Sequence, residues 1–347
     1  MKKNAKYIIW ILPIFILSLN AIDVKFSKVG TTSAQFLKIG VGRATGMGEA
    51  FSAIADDASA AYFNPAGLAQ LTKKEVLFNH LDWIADVNHD YVTVALPLAK
   101  MGTLALSVTA LTMGEMQRLY LDDPSTVIRE DDSTGFFFGA MDMALAASFA
   151  RQITDKLSFG LTGKAITQSI YNMTATGAAM DLGLLYNTGF RSLRIAACLT
   201  NFGTSMTFSG LGLEFVDTSY MTDPRATYKT TPNPLPTTFR FGIAFNLIDI
   251  PGNKLTFACD VIHPNDINET VNSGLEYNFK KIFFLRTGYI LNTDLNYTKE
   301  IKSITGFSAG TGFKLDITPS VNLRLDYCYR DMGWLKATHR LGAIVGF

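Results

Sequence analysis

Charge is what this sequence has least of. Only 18% of its 347 residues are Asp, Glu, Lys or Arg, where soluble domains carry roughly a quarter. The signs cancel to a formal net charge of +1, so the basic face that nucleic-acid binding needs is missing and no such partner is expected. Cysteine is scarce as well. Cys198, Cys259 and Cys328 are widely separated, odd in number and without CxxC spacing, which excludes a disulfide framework. His80, His89, His263 and His339 fall at no metal-ligand spacing with them. None of the four lies in a motif with a nucleophile, so no catalytic site, metal or cofactor is expected and the chain is not read as an enzyme. Beyond the N-terminus there is no apolar run of about 20 residues, which excludes a bundle of membrane helices. Disorder is excluded by what is abundant, with 25 Phe and 13 Tyr in a chain that is 48% hydrophobic.

The one long apolar run begins the chain. Lys2, Lys3 and Lys6 precede the core Tyr7 to Leu17, and Ser18-Leu19-Asn20-Ala21 closes it on a small residue. Residues 1–21 read as a signal peptide cleaved after Ala21. The alternative, an uncleaved anchor helix, needs a longer span. No Cys follows the core, so a lipid anchor there is not expected.

From residue 74 onward the apolar period is two. Phe239, Phe241, Ile243, Phe245 and Leu247 alternate with polar or small residues, as do Val321, Leu323, Leu325, Tyr327 and Tyr329. Leu255, Phe257, Cys259 and Val261 oppose Lys254, Thr256 and Asp260. Such alternation means strands with one apolar and one polar face. A β-sandwich or propeller also alternates, but these segments run about 10 residues or more, the length of a tilted membrane-crossing strand. Charge collects on one face: Asp142, Lys164, Asp181, Arg194, Arg240, Asp260, Glu276, Arg286, Lys314, Arg324, Asp326 and Arg330. Small residues such as Gly160, Gly242, Gly274, Gly288, Gly310, Gly312, Ala144 and Ala146 fill the rest of that face, which suits a crowded lumen. About 14 strands are expected between residues 74 and 347, an even number as single-chain outer-membrane barrels require. Long connections, 113–135, 202–236 and 292–304, alternate with short ones, which puts both termini in the periplasm of a bacterial outer membrane.

Residues 22–73 have a different texture. Gly40, Gly42, Gly46 and Gly48 crowd together, Met47 to Ala61 is Ala-rich with helical patterning, and Asn64-Pro65-Ala66-Gly67 signals a turn. The segment is too poor in large apolar groups for its own core, so a small, partly helical plug inside the barrel is expected. Gly40 to Gly46 lacks the spacing and the GK[ST] ending of a phosphate loop. Asp56 and Asp57 fit a helix start better than an acid–base pair.

Taken in order, Ser33 to Ala44, Gly46 to Phe51, Ile54 to Ala60 and Tyr62 to Ala69 resemble the N-terminal signature of the PorV/PorQ family of outer-membrane proteins. The motif residues are Gly40, Gly42, Gly46, Gly48, Asp56, Asp57, Asn64, Pro65 and Ala66. That family is grouped with the fatty-acid-transporter (FadL-type) barrels, and the resemblance implies a barrel of about 14 strands with its N-terminal segment in the lumen. It also implies two functions. One is protein export or surface delivery of the type IX secretion kind, with secretion components or exported cargo as partners. The other is passage of hydrophobic small molecules such as long-chain fatty acids.

The sequence leans toward the first. Asp122, Asp123, Glu130, Asp131 and Asp132 in one long connection repel a fatty-acid carboxylate, and Phe208, Leu211, Leu213 and Phe215 in another offer an apolar strip for a partner. Plain lipopolysaccharide-facing cover is the alternative for both loops. A mixed-sign lumen network of Asp142, Lys164, Asp181, Arg194, Arg240, Asp260, Glu276, Arg286, Arg324 and Asp326 favours a plugged barrel over an open, charge-selective pore. The remaining partners expected are outer-membrane lipid and, through the terminal strand ending in Phe347, the barrel-assembly machinery.

Overall fold

A computed structural model of the chain describes residues 31–117, 137–216, 225–292 and 306–347. Fourteen antiparallel strands close into a barrel. In chain order they are β1 Glu75–Asp82, β2 Val87–Pro97, β3 Thr103–Met113, β4 Ala140–Gln152, β5 Leu157–Ile170, β6 Met173–Asn187 and β7 Arg194–Gly203. The second half comprises β8 Thr238–Ile250, β9 Asn253–Pro264, β10 Thr270–Phe279, β11 Phe283–Asn292, β12 Phe307–Asp316, β13 Asn322–Asp331 and β14 Ala337–Gly346. Each strand pairs with its neighbours in sequence, and β1 closes on β14 with Glu75 opposite Gly346. The alternation of apolar and polar residues anticipates every one of these strands, with ends displaced by a few residues.

Parity along each strand sets inside from outside. On β9, Thr256, Ala258, Asp260 and Ile262 are buried while Phe257 and Val261 face out. The outward side carries exposed Phe78, Leu106, Leu145, Leu285, Leu325 and Leu341. An apolar surface of that extent around a whole barrel has hydrocarbon as its solvent. The signal-peptide reading of residues 1–21 concerns residues outside those described, as do the acidic positions Asp122, Asp123, Glu130, Asp131 and Asp132.

The segment before β1 is enclosed by the strands. It carries 3-10 turns at Gln35–Lys38, Gly42–Met47 and Pro65–Gln70 and a single α-turn at Ala60–Phe63. The helix expected across Met47 to Ala61 is therefore limited to its last turn. Three of its backbone donors turn to the barrel: Gly48 N–H donates to Ser308 Oγ at 2.9 Å, and Phe51 and Ser52 N–H donate to Asp260 at 3.1 and 3.0 Å. Barrel side chains have replaced the i−4 carbonyls.

Two apolar clusters form. The larger gathers Val41, Met47, Phe51, Ile54, Phe63 and Leu68 against inward residues such as Leu77, Tyr91, Ala150 and Ala258. The smaller lies toward the long connections and joins Phe36, Leu37 and Ile39 to Leu81, Ile166, Met206 and Leu235.

The inside–outside parity is tested by two arginine substitutions. Phe257→Arg, mid-strand on the outer face, is expected to cost about 2–4 kcal/mol, and Phe190→Arg, in the connection 188–193, about 0–1 kcal/mol. Denaturant unfolding of the protein in lipid vesicles measures both, and equal costs would contradict the depth assignment.

Candidate functional site

Arg43 leaves the 3-10 turn Gly42–Met47 and enters a cluster of carboxylates. Its Nε donates to Asp57 at 2.7 Å, its Nη1 to Glu276 of β10 at 2.8 Å, and its Nη2 to Asp56. Asp57 also accepts from Arg324 of β13. Arg324 donates in turn to Asp326 at 2.8 Å, Arg286 of β11 to Asp326 at 2.7 Å, and Arg286 to Glu276 at 2.6 Å. The path Arg43–Asp57–Arg324–Asp326–Arg286–Glu276 returns to Arg43, a closed ring of alternating charge. Burial alone would push the Asp57 carboxyl up, but Arg43 and Arg324 hold it far below the ordinary carboxylate range. Burial works against the charge on Arg43 too, and Asp56, Glu276 and Asp57 more than offset it. Two members come from the N-terminal segment and four from three strands, so the ring fastens one to the other.

Shape complements charge. The turn Asn64-Pro65-Ala66 lies directly on Gly160 of β5 and Gly183 of β6, where a Cβ at either position would overlap it. Met47 and Gly48 lie in the same way on Gly274 and Gly288. The Asn64 side chain accepts from Ala66 N–H and donates to the Ser52 carbonyl. Gly46 abuts Gly310 and Cys328, and Gly42 N–H donates to Asn79 of β1 at 2.9 Å. Gly40 is pressed against Glu49. Most residues of the resemblance motif thus lie where this segment meets the wall, while Gly40 and Asp56 contact Glu49 and Arg43 of the segment itself.

The other expected lumen charges divide among separate groups. Lys164 meets Asp181 at 2.8 Å beside a bulge between β6 and β7, where Asp181 also accepts from Asn201 N–H. Asp260 serves the Phe51 and Ser52 amides, and Arg240 stacks over Phe63 at 5.7 Å. Arg194 reaches the Ile54 carbonyl, and Asp142 accepts from Gln168 at 2.8 Å. Arg43, Glu49, Asp266 and Arg340 were not anticipated. Arg330 donates to Glu49 at 2.6 Å. Asp266, in the connection 265–269, accepts from Thr32, Gln35 and Lys38. Burial opposes its charge, yet Gln35 and Lys38 keep its pKa low.

Between the two apolar clusters lies a group of buried polar side chains with unmet capacity. Arg340 is 1% exposed, and all three guanidinium nitrogens have no hydrogen-bond partner among the described residues. His89, fully buried, is unpartnered at both ring nitrogens. Both flank Leu81 in register, Arg340 from β14 and His89 from β2. Leu81 belongs to the smaller cluster, so an apolar cluster adjoins a guanidinium without a hydrogen-bond partner among the described residues. The parity of Leu341, Ala343 and Val345 on the outer face was the available signal for Arg340 pointing inward.

The proposed partner strip is divided. Phe208 is half-buried and packs on the smaller cluster. Leu211 is 66% exposed and Leu213 is intermediate. Phe215 belongs to a short ribbon in which Glu214–Val216 pairs with Arg225–Thr227.

The ring makes a pH prediction. A depressed folded pKa at Asp57 means that its contribution is complete above the unfolded value of about 3.9 and is lost as pH falls toward the lower folded one. Conductance in planar bilayers is therefore expected to stay flat from about pH 7 to about pH 5 and to rise only below about pH 4. Arg43→Met is expected to raise conductance already at neutral pH. A wild-type rise near pH 6 would show that another contact anchors the segment.

A family model described as an uncharacterised protein family (UPF0164) matches residues 19–116. No curated protein matches the chain. Among solved structures, the CymD monoaromatic hydrocarbon channel is similar at 14% identity, covering 89% of this chain and 97% of that one, with a TM-score of 0.54. The Pseudomonas putida toluene transporter TodX is similar at 12% identity over 87% of this chain and 96% of its own, with a TM-score of 0.51. A Pseudomonas aeruginosa FadL homologue is 12% identical over 93% and 98% of the two chains, at a TM-score of 0.47. At such identities the likeness is one of fold, a fourteen-stranded closed barrel preceded by a short helical and 3-10 segment.

Proposed function

We propose that this barrel admits hydrophobic small molecules across the outer membrane, with a long-chain fatty acid as the solute that its interior suits best. Both termini are then periplasmic, with the long connections outside and residues 22–73 acting as the plug. The observation that carries the reading is the apolar cluster of Phe36, Leu37, Ile39, Ile166 and Met206 next to the unpartnered Arg340. An alkyl chain finds apolar walls there, and a carboxylate finds a guanidinium that has no other acceptor among the described residues. Charge-assisted hydrogen bonds of that kind are the stronger class, and bidentate pairing adds orientation. His89, held among Leu81 and its neighbours, supplies a second polar contact for the same head group.

Two of the channels similar in fold are named for monoaromatic hydrocarbons and toluene, which supports an apolar solute without fixing its identity. The export reading loses much of its motive, because Phe208 is engaged with the chain's own interior. The acidic loop that argued against a carboxylate lies outside the described residues.

Arg340→Met separates binding from stability. A buried guanidinium that makes no hydrogen bond destabilises its host, so the variant is expected to melt at a higher temperature than the wild type. Its affinity for a long-chain fatty acid is expected to fall about tenfold or more, the loss of a charge-assisted contact of roughly 1.5–3 kcal/mol. Titration of detergent-solubilised protein with oleate measures the second effect, and differential scanning the first. Undiminished oleate binding in the variant would remove Arg340 from the site, and no saturable binding by the wild type would overturn the reading.

A further inference from the structure

The end of the barrel that bears the short turns joins exposed apolar residues to exposed cations. Each turn places an exposed apolar residue at its tip or flank. Met101, Ile153, Phe190, Ile250, Ile282 and Ile317 are all exposed, several more fully than the apolar residues of the barrel belt. Phe347, at 47%, ends the last strand on the same rim. Solvated turns give no reason for this, since apolar tips in water gain nothing.

Cations accompany these tips. Lys100 precedes Met101, Arg191 follows Phe190, and Lys280 and Lys281 precede Ile282. Arg151 and Lys156 bracket Ile153, and all six are exposed. In three places cation and ring are in contact: Arg191 over Phe190 at 5.7 Å, Lys280 over Phe279 at 5.2 Å and Lys74 over Phe347 at 5.9 Å. Exposed carboxylates on this rim are fewer, at Asp155, Asp249 and Asp316. The opposite rim has the reverse balance, with Asp82, Asp86, Glu115 and Glu214 exposed against Lys229 and Lys336. Among the described residues the two ends thus differ in the sign of their exposed charge.

A rim with an apolar tip at each of these turns and exposed cations beside four of the six, at Met101, Ile153, Phe190 and Ile282, matches one kind of surface. Apolar groups enter the boundary of the acyl chains while Lys and Arg extend to the phosphate layer. A soluble acidic partner would account for the cations but not for an apolar residue in every turn. We infer that the short-turn rim is a docking collar for anionic phospholipid head groups, which hold the barrel at a fixed depth and orientation. This inference rests on the barrel being in the outer membrane and is independent of the solute it carries.

The test compares phosphatidylglycerol with phosphatidylcholine around the intact protein. The full-length chain is refolded into vesicles of about three parts phosphatidylcholine to one of phosphatidylglycerol, and the association of spin-labelled forms of each lipid is measured. A preference for phosphatidylglycerol of about fivefold or more is expected, the effect of a single basic side chain near an anionic surface. It is expected to shrink toward unity in about 0.5 M salt, where the screening length is only a few ångströms. The triple variant Lys100→Glu, Arg191→Glu, Lys281→Glu is expected to lose the preference. The control variant Lys229→Glu, Lys336→Glu, altered at the other rim, is expected to keep it. Equal association of the two lipids with the wild type overturns the inference, as does a preference that survives the triple variant or is lost equally in the control. Oleate binding, read in the same samples, reports separately on the channel.

Discussion

Six charged side chains share one dehydrated space in this barrel, and each depends on the two beside it. Arg43, Asp57, Arg324, Asp326, Arg286 and Glu276 alternate in sign around a closed path. No member can leave without uncovering two opposite charges, and an uncovered buried charge is far more costly than a paired one is stabilising. The ring therefore specifies position more than it adds stability. Because Arg43 and Asp57 are fourteen residues apart in the N-terminal segment and the others belong to β10, β11 and β13, the geometry of the segment and the curvature of the wall have to agree.

The rest of the lumen follows from that agreement. A fourteen-stranded barrel is wide enough that inward side chains cannot meet across it, and the chain fills the space with its own backbone. Glycine on the strands is what lets the backbone come close. Gly160 and Gly183 receive the Asn64-Pro65-Ala66 turn, and Gly274 and Gly288 receive Met47. Strand residues then finish the hydrogen bonding that helices would have supplied, with Asp260 and Ser308 serving amides of the enclosed segment.

Much of this was legible in the sequence because it obeys a period of two. Strand number, inside–outside parity and the apolar belt all follow from alternation such as Phe239 to Leu247. The charges on the inward face were legible individually, but not their grouping. Alternation says that Glu276 and Arg286 point inward and is silent on which neighbour each meets. That depends on register and on where Arg43 arrives, a contact 233 residues away in sequence. The helical pattern at Met47 to Ala61 misled because alanine content reports propensity in isolation, whereas here barrel carboxylates and hydroxyls compete for the amides. Arg340 went unremarked because a lone cation on a strand resembles any other until its lack of a partner is seen in space.

The position of β1 has one more consequence. The enclosed segment touches strands on every side of the barrel, from Asn79 on β1 to Gly183 on β6 and Arg324 on β13, and it runs straight into the strand that seals the wall against β14. The N-terminal segment is therefore held by the wall on several sides and continues without a break into the strand that closes it. At the foot of that closing seam Lys74 and Phe347 exchange backbone hydrogen bonds.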